Sequence, residues 1–247
     1  MEYAAWSPFY ERIARDLGFA FDREVAARDR LESLLPSRAR ERPLERVRDR
    51  LQGRDAIVVG AAPGAGPPPL WRLPAGDLRP VVVAADSATG GCLEAGLVPT
   101  VVVTDLDGPV PPEVTANRRG ALVVVHAHGD NGPAVEEWVP QFPGELVGSW
   151  AGAPTASLID VGGFTDGDRA AYLADACGAR SILLWGFDFS RVEEPDAAAL
   201  QRKQAKLRWA ERALRELAAR GRTPIRRWAR DGSTDVYPPG RSDESTR

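Results

Sequence analysis

The sequence predicts an open, mostly parallel α/β sheet of Rossmann-like type, with helices on both faces and an N-terminal helical extension. Three observations carry this. From residue 55 onward, short valine-rich runs recur without polar alternation, as expected of strands buried on both faces. Helix-capable stretches separate several of these runs, which implies right-handed crossovers. Glycine and aspartate come after nearly every run, at the strand ends where open α/β sheets bind ligands.

Residues 1–52 read as helical, with candidate helices at 8–16, 22–35 and 43–52 separated by Gly18 and Pro36. The second has a weak apolar stripe and is expected to pack as an accessory cap. Strands are expected at 56–59, 80–85, 100–104, 121–126, 145–148, 158–161 and 181–185. The clearest intervening helices are 88–95, 133–139 and 168–176. A long helix at 196–220 ends at Gly221, and 223–228 could add a last strand. The expected organisation is an extension (1–52), an α/β catalytic domain (53–237) and a flexible polar tail (238–247).

The 247 residues are 43% hydrophobic and 27% charged, an ordinary globular composition. No apolar run approaches the roughly 18 residues of a spanning helix, and no secretion signal is visible. Cys92 and Cys177 support neither a disulfide framework nor a cysteine zinc site, and a cytoplasmic setting is expected. Charge is uneven. Residues 1–52 carry 11 basic and 10 acidic side chains, residues 53–190 carry 7 and 16, and residues 191–247 carry 14 and 9. The acidic middle argues against a nucleic-acid face there. It suits divalent cations, with a basic segment to reach an anionic ligand.

The polar clusters lie just after the predicted strands. Gly60 and Ala61 open a glycine-rich loop that matches neither a Walker A motif nor Gly-x-Gly-x-x-Gly, so a tight turn is an equal reading. Asp86 could cap the next helix. Asp105 and Asp107 sit two apart, so in extended backbone their carboxylates point the same way, a plausible hard-cation pair. His126 and His128 share a face, and a hydrogen-bonding role suits them better than zinc, because no third histidine exists. Asp130 and Asn131 come next. Asp166 and Asp168 repeat the two-residue spacing before a helix, where one reading is a simple N-cap. Lys203 and Lys206, the only lysines, lie one helical turn apart, on a solvated surface or against phosphate. If these loops share one rim, their acids repel one another unless a cation or hydrogen-bond network stabilises them.

In this order, Val58-Val59-Gly60-Ala61-Ala62-Pro63, Thr104-Asp105-Leu106-Asp107-Gly108, His126-Ala127-His128-Gly129-Asp130-Asn131, Gly163-Phe164-Thr165-Asp166-Gly167-Asp168-Arg169-Ala170 and Gly186-Phe187-Asp188-Phe189 resemble the archaeal 6-hydroxymethyl-7,8-dihydropterin pyrophosphokinase family, which is related to thiamine-pyrophosphokinase-like folds. The likeness runs over about residues 54–210. Ala62 stands where the family's first loop has its second glycine, residues 64–69 form a proline-rich insertion, and Ser87 comes after Asp86 in place of glycine. The resemblance implies Mg²⁺-dependent transfer of diphosphate from ATP to the pterin alcohol, releasing AMP, in folate or methanopterin synthesis. It implies that Asp105 and Asp107 hold Mg²⁺ and that Asp166 or Asp168 holds a second ion or orients the hydroxyl. Gly60, Ala61 and Asp86 fall where nucleotide is expected. His128, Asp130 and Asn131 would line phosphate or ribose, and Lys203 or Lys206 would contact phosphate. The alternatives are a glycosyltransferase-like enzyme using a nucleotide sugar and a non-catalytic nucleotide-binding module. Trp150, Phe164, Trp185 and Phe187 are candidates for an aromatic wall, with core packing the competing reading. A homo-oligomer is left open.

Overall fold

Nine strands form one sheet in the order β6-β5-β4-β3-β2-β1-β7-β8-β9 among the residues described by the computed structural model, which are 3–66, 68, 80–190, 196–228 and 234–237. The expected tail at 238–247 and part of the proline-rich insertion lie outside these residues. The strands are β1 (Asp55–Val59), β2 (Val81–Ala85), β3 (Val101–Thr104), β4 (Leu122–Ala127), β5 (Leu146–Trp150), β6 (Leu158–Ile159), β7 (Ser181–Trp185), β8 (Ile225–Trp228) and β9 (Thr234–Val236). All neighbours pair parallel except β8 and β9. Burial explains the composition: β2, β3, β4 and β5 are buried at every position, so no polar alternation survives.

Successive side chains of a strand serve opposite cores. Val81 and Val83 face one core with α1 (Tyr3–Leu17), α4 (Pro43–Leu51), α8 (Asp166–Ala176) and α9 (Ala197–Arg220), whereas Val82 and Ala84 face Cys92 and Trp185 on the other side. That second side also carries α2 (Phe21–Leu34), α3 (Ser37–Arg40), α6 (Val110–Arg118) and α7 (Gly132–Trp138) over β3 to β5, with α5 (Ala88–Glu94) beside β2. The N-terminal helices therefore divide between the faces: Trp6, Phe9 and Ile13 enter the first core, and Ala27, Leu31 and Leu35 the second.

Helix α1 starts at Tyr3 and contains Pro8, where the sequence suggests a start. An interior proline costs about 3 kcal/mol. Burying Trp6, Phe9 and Ile13 returns about 1.5–3 kcal/mol each, which is enough to carry the helix through. Helix α6, which comes after Pro109 and contains Pro111 and Pro112, is absent from the sequence expectation. Two of these prolines lie at its start, where a missing N–H costs nothing.

From β1 the chain builds outward to β6, then returns to place β7 on the other side of β1. The crevice beyond the ends of β1 and β7 is thus a topological switch point, the default ligand site of an open sheet. The two strand ends approach so closely that a Cβ on Gly60 would stand 2.8 Å from the Gly186 carbonyl oxygen. Gly186 has φ 71°, so both loops require glycine there.

Candidate active site

Strand direction places the predicted polar loops on one rim. The loop after β3 is built by two nested turns. The Thr104 hydroxyl accepts from the Leu106 N–H at 2.9 Å, and Asp105 Oδ1 accepts from the Asp107 N–H at 3.2 Å. Leu106 sits between them at φ 65°. The backbone is therefore not extended here, as the spacing argument assumes. The two carboxylates are brought together by a left-handed turn, a conformation that costs non-glycine residues energy and clusters at functional sites.

The environment splits this pair. Burial pushes Asp105 upward, but the hydrogen-bonded and ionic contact of His128 (Nε2 to Oδ2, 3.4 Å) outweighs it and leaves Asp105 at about 2. Asp107 is raised to about 6 by burial, then by the charges of Asp105 and Asp86, with Lys206 opposing. Asp86 adopts φ 43°, and a Cβ on Gly108 would run into its carboxylate. One Asp86 oxygen, Oδ1, is buried without a hydrogen-bond partner. Behind it, fully buried Glu113 is raised to about 9 by burial and by the Asp86 charge.

Asp166 and Asp168 part company. Asp168 accepts from the Phe164 and Thr165 N–H groups, at 2.7 Å each, and from the Thr165 hydroxyl. It closes the capping box of α8 and lines neither large cavity of the rim. That geometry makes it a positioning residue. Asp166 does face the cavities. Arg169 holds it at 3.2 Å, while burial and the charges of Asp105, Asp86 and Asp107 drive its carboxyl well above the ordinary range.

Asn131 also braces the loops. It donates to the Asp105 carbonyl at 2.7 Å and the His126 carbonyl at 2.8 Å, and accepts from the His128 N–H at 2.9 Å. His126 is buried against Ser149 (Nδ1 to Oγ, 3.0 Å), and burial holds its ring neutral. Asp130 is more exposed and pairs with Arg23 at 3.6 Å.

Beside a cavity of about 400 Å³ lined by Trp185, Asp188, Arg227 and Trp228, two further cavities on this rim adjoin the predicted acids. One, of about 400 Å³, lies at the switch point and is lined by Gly60, Ala61, Asp86, Gly167, Phe187 and Lys203, among others. The second, of about 230 Å³, lies under the N-terminal helices. Asp105, Asp107, His128, Asp130 and Lys206 line it, together with Tyr10, Phe19, Glu24 and Phe164. Thr165, Asp166, Lys203 and Leu207 line both, so the cavities share a wall at which Asp166 is the one carboxylate. Among the four aromatic candidates, Phe164 lines the smaller of these two cavities and Phe187 the larger, Trp185 lines the cavity beside the end of β7, and Trp150 is a buried core residue beneath α2.

Sequence reasoning missed Tyr10, Phe19 and Glu24. Glu24 carried a legible signal, because it shares the buried face of α2 with Ala27 and Leu31 at helical spacing.

Among the described residues no three His, Cys, Asp or Glu side chains can cage an ion by themselves. The donor set, hard carboxylate oxygens with mutual repulsion, fits a cation held by one or two carboxylates and completed by a bound phosphate and water, the habit of Mg²⁺. Asp105 and Asp107 are the pair placed to do so.

Residues 33–194 match the family described as 6-hydroxymethylpterin diphosphokinase MptE-like. Three proteins named 6-hydroxymethyl-7,8-dihydropterin pyrophosphokinase are similar to the chain. That of Methanothermobacter thermautotrophicus is 40% identical over 238 residues, covering 92% of this chain and all of its own. That of Pyrococcus furiosus is 36% identical, covering 91% and 98%. That of Methanocaldococcus jannaschii is 33% identical, covering 76% and 80%.

Proposed function

Because the chain belongs to the MptE-like family of 6-hydroxymethylpterin diphosphokinases, we propose that it transfers diphosphate from ATP to the hydroxymethyl oxygen of 6-hydroxymethyl-7,8-dihydropterin. The observation that carries this reading is the pair of cavities that share a wall at Asp166 and Lys203. A two-substrate transfer needs its reactants in adjoining sites with the transferred group at the boundary, and positioning of this kind supplies much of the rate.

The triphosphate extends along the larger cavity, over the glycine loop at Gly60 and Ala61. The pterin occupies the smaller, aromatic-lined cavity. The hydroxyl oxygen attacks the β-phosphorus, the bond from that phosphorus to the oxygen shared with the α-phosphate breaks, and AMP leaves. Asp166, on the shared wall and raised in pKa, orients the hydroxyl and takes its proton. Arg169 fixes that carboxylate. Lys203 and Lys206, one turn apart on α9, offset phosphate charge. When bound, Mg²⁺ on Asp105 and Asp107 neutralises charge on the triphosphate. His128 and Asn131 hold Asp105 in place, while the exposed Asp130 lines the smaller cavity. Both cysteines are free and buried, which suits a reducing cytoplasm. Among the described residues no helix is long and apolar enough to cross a membrane.

The test is an assay of AMP release with ATP, Mg²⁺ and the pterin alcohol, beside thermal melts with nucleotide sugars. The reading expects AMP and pterin diphosphate in equal amounts. Stabilisation by a nucleotide sugar without AMP release would overturn it in favour of a sugar-nucleotide transferase.

A further inference from the structure

We infer that Glu24 is the specificity residue that binds the amino-pyrimidinone edge of the acceptor ring. The inference rests on the pterin reading above and extends it to a residue of the N-terminal helices.

Four observations lead there. Glu24 is only 5% exposed, although charged, and its Oε2 has no hydrogen-bond partner. It lines the smaller cavity, whose other walls include Tyr10, Phe19 and Phe164. Phe19 and Phe164 lie 6.0 Å apart between ring centroids, an apolar surface for a flat heterocycle. Glycine at position 129 is what admits the helix so closely: a Cβ there would meet Arg23 Cβ at 2.8 Å and Glu24 Oε1 at 3.3 Å.

A buried carboxylate oxygen without a partner, as Oε2 is, is a standing cost in the free protein. Burial raises its pKa, against a hydrogen bond from the Gly129 backbone and the influence of His128. An apolar residue would pack on the face of α2 with a smaller penalty. A carboxylate is the complement of a ring that presents an exocyclic amine beside a ring N–H, two parallel donors for two oxygens. A 2-amino-4-oxo pyrimidine presents that edge. Its hydroxymethyl group, at the far end of the bicycle, then points towards the shared wall at Asp166.

The experiment is calorimetric titration of wild type and Glu24→Gln with the pterin alcohol and with its analogue carrying oxygen in place of the 2-amino group. Wild type is expected to favour the pterin by roughly 10–100-fold. In Glu24→Gln that preference falls towards parity, KM for ATP stays unchanged, and the melting temperature does not drop. A purely structural glutamate would give the reverse, a lowered melting temperature with preference retained. Equal wild-type affinity for the two rings overturns the inference however the variant folds. If wild type releases AMP with the pterin yet does not discriminate, Glu24 alone is misassigned. If wild type neither binds the pterin nor releases AMP, the functional reading falls and takes the inference with it.

Discussion

Leu106 separates Asp105 from Asp107 in a left-handed turn, whereas Gly167 separates Asp166 from Asp168 in the first turn of α8. In the β3 loop both acids stay on the rim and face the smaller cavity. At the helix start only Asp166 does so, and Asp168 is taken up by two backbone N–H groups and a hydroxyl. The same sequence interval thus has two uses, and the next stretch of backbone decides between them. A turn that leads into an irregular segment leaves its carboxylates available, whereas a helix N-terminus has unsatisfied donors to fill. The difference separates acids left available to a ligand from an acid that holds a loop still.

The strongest test of this contrast is at the first pair. Asp105→Asn with Asp107→Asn should lower the rate of AMP release by at least about 1,000-fold while the protein stays folded. Full activity in that double variant would remove the first pair from the chemistry. Next comes Asp166→Asn, with turnover down about 100-fold. Its melting temperature should hold or rise, because burial and three like charges already oppose the ionised form. Asp168→Asn should show the opposite balance, losing about 2 kcal/mol in urea unfolding with a smaller loss of turnover. If Asp168→Asn proved as inactive as Asp166→Asn yet equally stable, the two acids would be equivalent after all.

The most modest change concerns Glu113, behind Asp86. Its folded pKa is raised to about 9 from an ordinary 4.5, by burial first. Between those values the folded chain keeps a proton that the unfolded chain releases, so this group's contribution falls as pH rises through that window. Glu113→Gln removes the dependence. Its gain over wild type should be absent near pH 4.5 and reach at least about 1 kcal/mol by pH 8, read from thermal melts across pH.

The sheet is legible in the sequence because the strands from β1 to β7 are short, largely apolar runs bounded by turn residues. The run at 181–185 coincides with β7, and the others agree within a few residues. Strand β9 is not legible, because Thr234-Asp235-Val236 pairs antiparallel at an edge and carries no apolar run. The rim itself needs parallel pairing alone. Sequence does not say which of two aspartates caps a helix, since that depends on where Phe164 and Thr165 place their N–H groups. Nor does spacing show that Asp105 and Asp107 meet through a positive-φ leucine. The smaller cavity is hidden for a further reason. Its wall combines residues more than 100 positions apart, such as Phe19 and Phe164, so no local pattern encodes it.

The placement of the first two helices on opposite faces of the sheet bears on how such a molecule can change. The larger cavity is assembled within the α/β body, from segments beyond residue 59, but the smaller one is roofed by Tyr10, Phe19 and Glu24 of the N-terminal helices and the turn between them. On the proposed reading, a lineage could exchange that roof and change which alcohol receives the diphosphate, while the residues that meet the nucleotide stayed as they are.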